Sequence, residues 1–253
     1  MVRRQTQLPG VCDENVLGLD RVLVDTIYGP VVGKMDSEVD PRFQQRVEWT
    51  SFTGIPYALP PVGQNRFRPP QPPLPWQCPL DATHKRNRIC PQVAPVNIKD
   101  AQSSPWLFQI TFGMENDGLL DGSNEDCLYL NVYVPANRSR NELFPVAVWL
   151  HGGAFMFGSG SACWFGPQFW MIHGIVLVTL NYRLGPLGFL SLGNEEVPGN
   201  AGMLDQVAAL QWVQANIHRF GGDPGKVTLM GQVEIVLLTK KESFHINRNP
   251  SSH

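Results

Sequence analysis

Two nearly continuous apolar runs, Phe144 to Leu150 and Gly174 to Leu180, constrain the fold more than any other feature of the chain. Both are bounded by glycine or proline, and such runs fit strands buried on both faces of a sheet that helices cover. Ahead of them, Cys127 to Val134 alternates in character, is rich in aromatic and β-branched residues, and stops at Pro135, which predicts a further strand. After them, Met203, Val207, Leu210, Val213, Ile217 and Phe220 recur in steps of three and four, one face of an amphipathic helix. Asn200 can cap its start, Asp205 sits in the early turns where the helix dipole favours an anion, and Gly221-Gly222-Asp223-Pro224 ends it. Lys226 to Met230 reads as a short strand. Strand, helix and strand in this order predict a right-handed crossover in a parallel sheet, and hence an α/β class.

The earlier part of the chain is written in turns. Arg21 to Gly33 alternates around Tyr28-Gly29-Pro30 and predicts a hairpin turned by Gly-Pro. In Gly54 to Gly63 the prolines fix φ and remove donors, which predicts an ordered wrapping loop with neither helix nor central strand. Residues 91–124 show no clean period and read as a long loop with one short helix around Trp106 to Thr111.

Composition narrows the functional classes. With 20 Lys+Arg against 22 Asp+Glu the net charge is −2, so no sequence-wide cationic field is expected for nucleic acid or an acidic membrane surface. An apolar share of 43% with 17% charged residues excludes a disordered chain, and 253 residues suffice for one substantial core. No apolar stretch approaches the roughly 18 residues of a membrane span. The opening MVRRQTQLPG has arginines but no apolar run after them, so no signal peptide is read in this chain. Five cysteines, Cys12, Cys78, Cys90, Cys127 and Cys163, form no CxxC pair and have no zinc-type histidine spacing, so neither metal nor cofactor is expected. An odd number allows at most two disulfides, and the residues alone leave the pairing open. Asn137-Arg138-Ser139 is one glycosylation sequon.

The stretch richest in chemistry is Leu150-His151-Gly152-Gly153-Ala154-Phe155, directly after a buried strand. Glycines there let the backbone turn sharply and expose successive N–H groups, the device by which acyl-transfer enzymes hold a developing oxyanion. The plain alternative is an ordinary strand-to-loop glycine pair beside a partly buried His151.

Taken together, several collinear segments carry a resemblance: GIPYALPPVG at 54–63, RFRPP at 66–70, EDCLYLN at 125–131, HGGAF at 151–155, NYRLGPLGFL at 181–190, and the stretch from Pro198 to Gly231. They resemble the type-B carboxylesterase and cholinesterase family over roughly residues 20–232. The resemblance implies the N-terminal half of an α/β-hydrolase fold: a mixed, mostly parallel sheet with flanking helices, incomplete here. It implies small-molecule carboxylic esters as substrates and a mechanism using a serine nucleophile, a histidine base and an acid. By resemblance, the N–H groups of Gly153 and Ala154, with Gly152 shaping the turn, would form the oxyanion hole. Where the family has G-x-S-x-G, this chain reads Gly231-Gln232-Val233-Glu234-Ile235. Val233 occupies the nucleophile position and offers no attacking atom, and Ile235 replaces the second glycine.

The expected organisation is therefore a poorly ordered segment 1–20, a partial carboxylesterase domain 21–232, and a divergent tail 233–253. The chain ends near half the family's usual length, so the acid and histidine of the triad are not expected in it, and a truncated or alternatively processed form is the leading expectation. Catalytic inactivity follows from these expectations. The alternative is a non-catalytic adhesion or binding relative. A short active esterase using Ser243 with His245, or Ser159 or Ser161 of the glycine loop, is the third reading; a triad needs its base oriented by a third group, which the tail is not expected to supply. The resemblance also pairs Cys90 with Cys127, implies ion pairs Arg66 with Glu125 and Arg183 with Asp205 buried beside the sheet, and suggests secretion or the endoplasmic reticulum lumen. Trp106 is read as a packing residue rather than a cation holder, and His218, near the C-terminal end of the helix, as a favourable dipole partner or a surface residue.

Overall fold

The computed structural model describes residues 20–40, 44–84, 89–92, 123–136, 142–161 and 167–231. Among these residues eight strands form one sheet: β1 (Arg21–Asp25), β2 (Pro30–Asp40), β3 (Gln45–Pro56), β4 (Leu80–Asp81), β5 (Tyr129–Pro135), β6 (Phe144–Leu150), β7 (Val176–Leu180) and β8 (Gly222–Gly231). Among the described residues three α-helices accompany them: α1 (Pro167–Ile172), α2 (Gly185–Phe189) and α3 (Ala201–Asn216), the last continued by a 3₁₀ turn at Ile217–Phe220. The strand order is β1-β2-β3-β5-β7-β6-β8, with β4 beside β2. A mixed sheet was expected and is found. Its parallel part is narrower than the sequence suggests: β7, β6 and β8 run parallel, as do β2 and β4, whereas β1, β2, β3, β5 and β7 pair successively antiparallel.

The two apolar runs become β6 and β7, both central. On β6, Val146, Val148 and Leu150 face one side, where they join Val176, Val178 and Leu180 of β7 and Trp212, Val213, Ile217 and Phe220 from α3 and its 3₁₀ turn. On the other side Ala147 and Leu177 pack with Val47, Trp49, Tyr133 and Met171 of α1. Both faces are thus dry, which is why no polar alternation marks these strands. The two crossovers, β6 to β7 through α1 and β7 to β8 through α3, place helices on opposite faces.

Three expectations need correction. The segment Gly54-Ile55-Pro56 is not wrapping loop but the end of the central strand β3, where Ile55 pairs with Leu130 and Pro56 with Tyr129 after a register shift following Phe52. A proline is tolerated there because it sits at the terminus of the ladder; the chain leaves the sheet only at Tyr57. The buried face of α3 is made by Ala201, Gly202, Asp205, Gln206, Ala209, Trp212, Val213 and Asn216, whereas Met203, Val207 and Leu210 are only half-buried. The helix is rotated by about one residue from the apolar stripe, so that small and paired polar side chains meet the sheet. Asn200 does precede the helix, but it takes a left-handed conformation at φ +54 and makes no side-chain cap. The Arg21–Gly33 hairpin is present, and its turn is organised by Thr26, whose hydroxyl donates to the Gly29 carbonyl at 2.7 Å and accepts the Gly29 N–H at 3.1 Å. The expected helix around Trp106 lies outside the described residues.

Candidate functional site

Strand β6 ends at Leu150, and the chain turns at once. Gly153 has φ +117, and a Cβ there would lie 2.0 Å from the Phe157 carbonyl oxygen, so only glycine fits. Ala154 (φ +51) and Phe155 (φ +59) continue in left-handed conformation, unusual for residues with side chains. The turn closes on itself through Met156 and Phe157, whose N–H groups donate to the Gly153 carbonyl at 2.9 and 3.2 Å. Among the described residues the Gly153 N–H has no acceptor.

Three sets of contacts hold this loop. At its base His151 is buried and stacks on Tyr182 with ring centroids 4.4 Å apart, while the Tyr182 hydroxyl donates to the His151 carbonyl at 2.8 Å. The His151 ring lies 2.9 Å from the Gly152 carbonyl through Nδ1, which places the proton on Nδ1. At the crest the Phe155 carbonyl accepts the Gly185 N–H at 2.7 Å, and its ring meets Phe189. At the far foot Gly158 is held by Gln92, and Gly160 by two asparagines: its N–H donates to Asn181 at 2.7 Å and its carbonyl accepts from Asn131 at 3.1 Å. Asn131 also accepts the Gly54 N–H and donates to Thr179. None of Gln92, Asn131, Asn181 and Tyr182 is singled out by the sequence reading. The signal was a polar side chain inside an apolar strand, Asn131, and another at a strand end, Asn181.

Strand β8 runs parallel to β6 with Gly231 opposite Leu150, so the chain leaves β8 beside the point where the glycine loop leaves β6. Val233, Gln232 and Ile235 of the elbow lie outside the described residues, as do Asn137, Cys12, Cys163, Trp106, Ser243 and His245. Ser159 accepts the Ser161 N–H at 3.3 Å. His218 is exposed on the 3₁₀ turn. No group of His, Cys, Asp or Glu arranged to hold a metal occurs among the described residues, and no helix there is long and apolar enough to cross a membrane.

Cys90 and Cys127 form a disulfide with Cα atoms 5.0 Å apart, and both residues are fully buried. Cys78 is disulfide-bonded as well. Arg183 and Asp205 make the expected buried pair, with the carboxylate accepting from Nε and Nη2 at 2.7 Å each and from the Arg183 N–H at 3.0 Å. Arg66 and Glu125 pair bidentately at 2.5 and 2.7 Å, but the arginine side chain is 44% exposed, so this pair lies at the surface rather than buried. Nearby, the Tyr57 hydroxyl donates to the Asn181 carbonyl at 2.6 Å. Burial, and then the Asp205 carboxylate, push its phenol well above the ordinary range, with Arg183 pulling the other way.

Parallel strands that end side by side at Leu150 and Gly231, the first running into a glycine loop, with helices on both faces, define an α/β-hydrolase arrangement. The chain belongs to the carboxylesterase family, whose profile matches residues 20–234. It is 42% identical over 221 residues to juvenile hormone esterase of Tribolium castaneum, covering 87% of this chain and 33% of that protein. It is 42% identical over 231 residues to liver carboxylesterase 1 of Oryctolagus cuniculus, covering 88% and 38%. Among solved structures, juvenile hormone esterase from Manduca sexta, with OTFP covalently attached, aligns with a TM-score of 0.69 at 38% identity, covering 84% of this chain and 36% of that one. The chain thus spans little more than a third of the length of these relatives.

Proposed function

We propose that these residues carry the oxyanion-binding half of a carboxylic ester hydrolase site and do not themselves turn over an ester. The observation that carries this reading is the loop 151–160: a glycine turn fixed at base, crest and far foot, leaving a parallel strand beside the strand that leads into the elbow. Fixed backbone N–H groups are worth most where negative charge develops on a substrate carbonyl oxygen, and loss of one such donor typically costs about 100- to 1000-fold in rate. Gly153 and Ala154 would supply these donors, with Gly152 shaping the approach. The missing partner is the nucleophile: Val233 stands where an attacking hydroxyl is required, and a valine side chain has no lone pair to add to a carbonyl.

An ester of small size is the substrate class that a complete site built on this loop would take. The disulfides at Cys90–Cys127 and Cys78 support an oxidising setting, the secretory route or the endoplasmic reticulum lumen. Short-chain nitrophenyl ester hydrolysis by the purified 253-residue chain, read beside labelling with a fluorophosphonate probe, tests the proposal. Neither signal should exceed that of the unfolded control; turnover or covalent labelling of the folded chain overturns it.

A further inference from the structure

The geometry points to Gln92 as the residue that sets the position of the oxyanion loop, an inference that rests on the reading of that loop given above. Gly158 lies in the buried far foot of the loop, at φ +120, outside any strand or helix, so its peptide groups lack the partners that regular structure would supply. One side-chain amide satisfies both. Gln92 Oε1 accepts the Gly158 N–H at 2.8 Å, and Gln92 Nε2 donates to the Gly158 carbonyl at 3.0 Å and to the Cys90 carbonyl at 3.1 Å. The two-way bond holds Gly158 against His151: a Cβ at Gly158 would fall 2.2 Å from the His151 ring nitrogen. The loop is therefore gripped between its base and its foot, with the short turn from Gly153 to Phe157 between them.

Gln92 is itself anchored. It lies two residues from Cys90, whose disulfide partner Cys127 offers its carbonyl to Asn181, the residue that holds Gly160. The disulfide thus ties together two of the three side chains that fix the loop's far foot, Gln92 and Asn181, 66 and 21 residues away in sequence from the glycines they bind. Gln92 touches no reacting atom in this scheme. It is a positioning residue, acting on the Gly153 and Ala154 donors through the backbone.

Amide hydrogen exchange of the whole chain, read on the peptide covering 151–160 with the β7 peptide as reference, tests this. Gln92→Met removes both bonds and should speed exchange of the loop peptide about ten- to a hundredfold at every pH while β7 stays as in the wild type. Gln92→Glu should behave differently. Protonated, its carboxyl can still accept the Gly158 N–H and donate to the Gly158 carbonyl, so protection matches the wild type in acid. Ionised, it faces that carbonyl with a second acceptor, and protection falls as pH rises through the carboxyl's titration. A merely space-filling glutamine would give no such pH profile. Wild-type loop exchange in Gln92→Met, or a Gln92→Glu profile parallel to the wild type, overturns the proposal; should Gln92→Met misfold, the Gln92→Glu profile decides alone. Exchange needs neither ester nor nucleophile, so ester turnover by the chain would defeat the functional reading and leave this result untouched.

Discussion

Replacing Arg183 by methionine should be among the most damaging single changes in the chain. Its guanidinium makes two hydrogen bonds of 2.7 Å to Asp205, and the two side chains are 3% and 0% exposed. In Arg183→Met the carboxylate keeps only the backbone N–H of residue 183 at 3.0 Å. Hydrogen bonds to charged groups contribute about 1.5–3 kcal/mol each, and breaking a buried pair from one side costs about 3–5 kcal/mol. That is a large share of the roughly 5–15 kcal/mol that holds a domain together. At an m value of about 2 kcal/mol/M, urea unfolding should shift its midpoint down by roughly 2 M. Burial already pushes the Asp205 carboxyl above its ordinary range despite the arginine. Desolvation therefore outweighs the pairing, and the double variant Arg183→Met with Asp205→Leu should return to within about 1 kcal/mol of the wild type or exceed it. The single variant should also gain stability in acid, because a group whose folded pKa lies above its unfolded value loses stability as pH rises. Arg66→Met serves as the control: its pair with Glu125 is partly exposed, and its loss should move the midpoint far less. A single variant within 1 kcal/mol of the wild type, or a double variant as weak as the two singles added, would refute the reasoning.

Three further outcomes are expected. Tyr57 is held neutral by burial, so above pH 10 the unfolded chain ionises where the folded one does not; stability should fall by about 1.4 kcal/mol per pH unit there, and Tyr57→Phe should remove that part of the slope in alkaline urea titrations. Replacing Cys90 and Cys127 together by alanine should cost roughly 3–4 kcal/mol, the loop-closure value for their separation, seen as a lower melting midpoint that no longer responds to reductant at this site. Gly153→Ala forces a Cβ to 2.0 Å from the Phe157 carbonyl at φ +117; faster exchange of the 151–160 peptide with β6 intact is the expected reading, and an unchanged loop would contradict the steric argument.

The parallel core was legible because β6 and β7 are dry on both faces, and short apolar runs such as Val146 to Leu150, bounded by glycine or proline, are too short for a buried helix and read as buried strands. Strand β3 was not, because Ser51 and Thr53 are buried as hydrogen-bonded groups: Ser51 accepts from Trp49 Nε1, and Thr53 donates to the Ala82 and His84 carbonyls. Such residues break the apolar pattern while sitting in the core. The helix face was misplaced for a related reason. Asp205 and Asn216 face inward because Arg183 and the Ile27 N–H await them, contacts that hydropathy does not encode. At the site, the glycine loop was readable from its glycines, whereas its supports were not. Gln92 lies 66 residues from Gly158, and only the folded sheet brings the two together.

The supports of the glycine loop have a consequence for descent. Tyr182, Asn131 and Asn181 also serve the interior of the sheet, so a change at any of them would disturb the fold as well as the loop, whether or not any reaction depends on it. A lineage could abandon the chemistry with a single codon at the elbow and still inherit the cradle, generation after generation, as a by-product of staying folded.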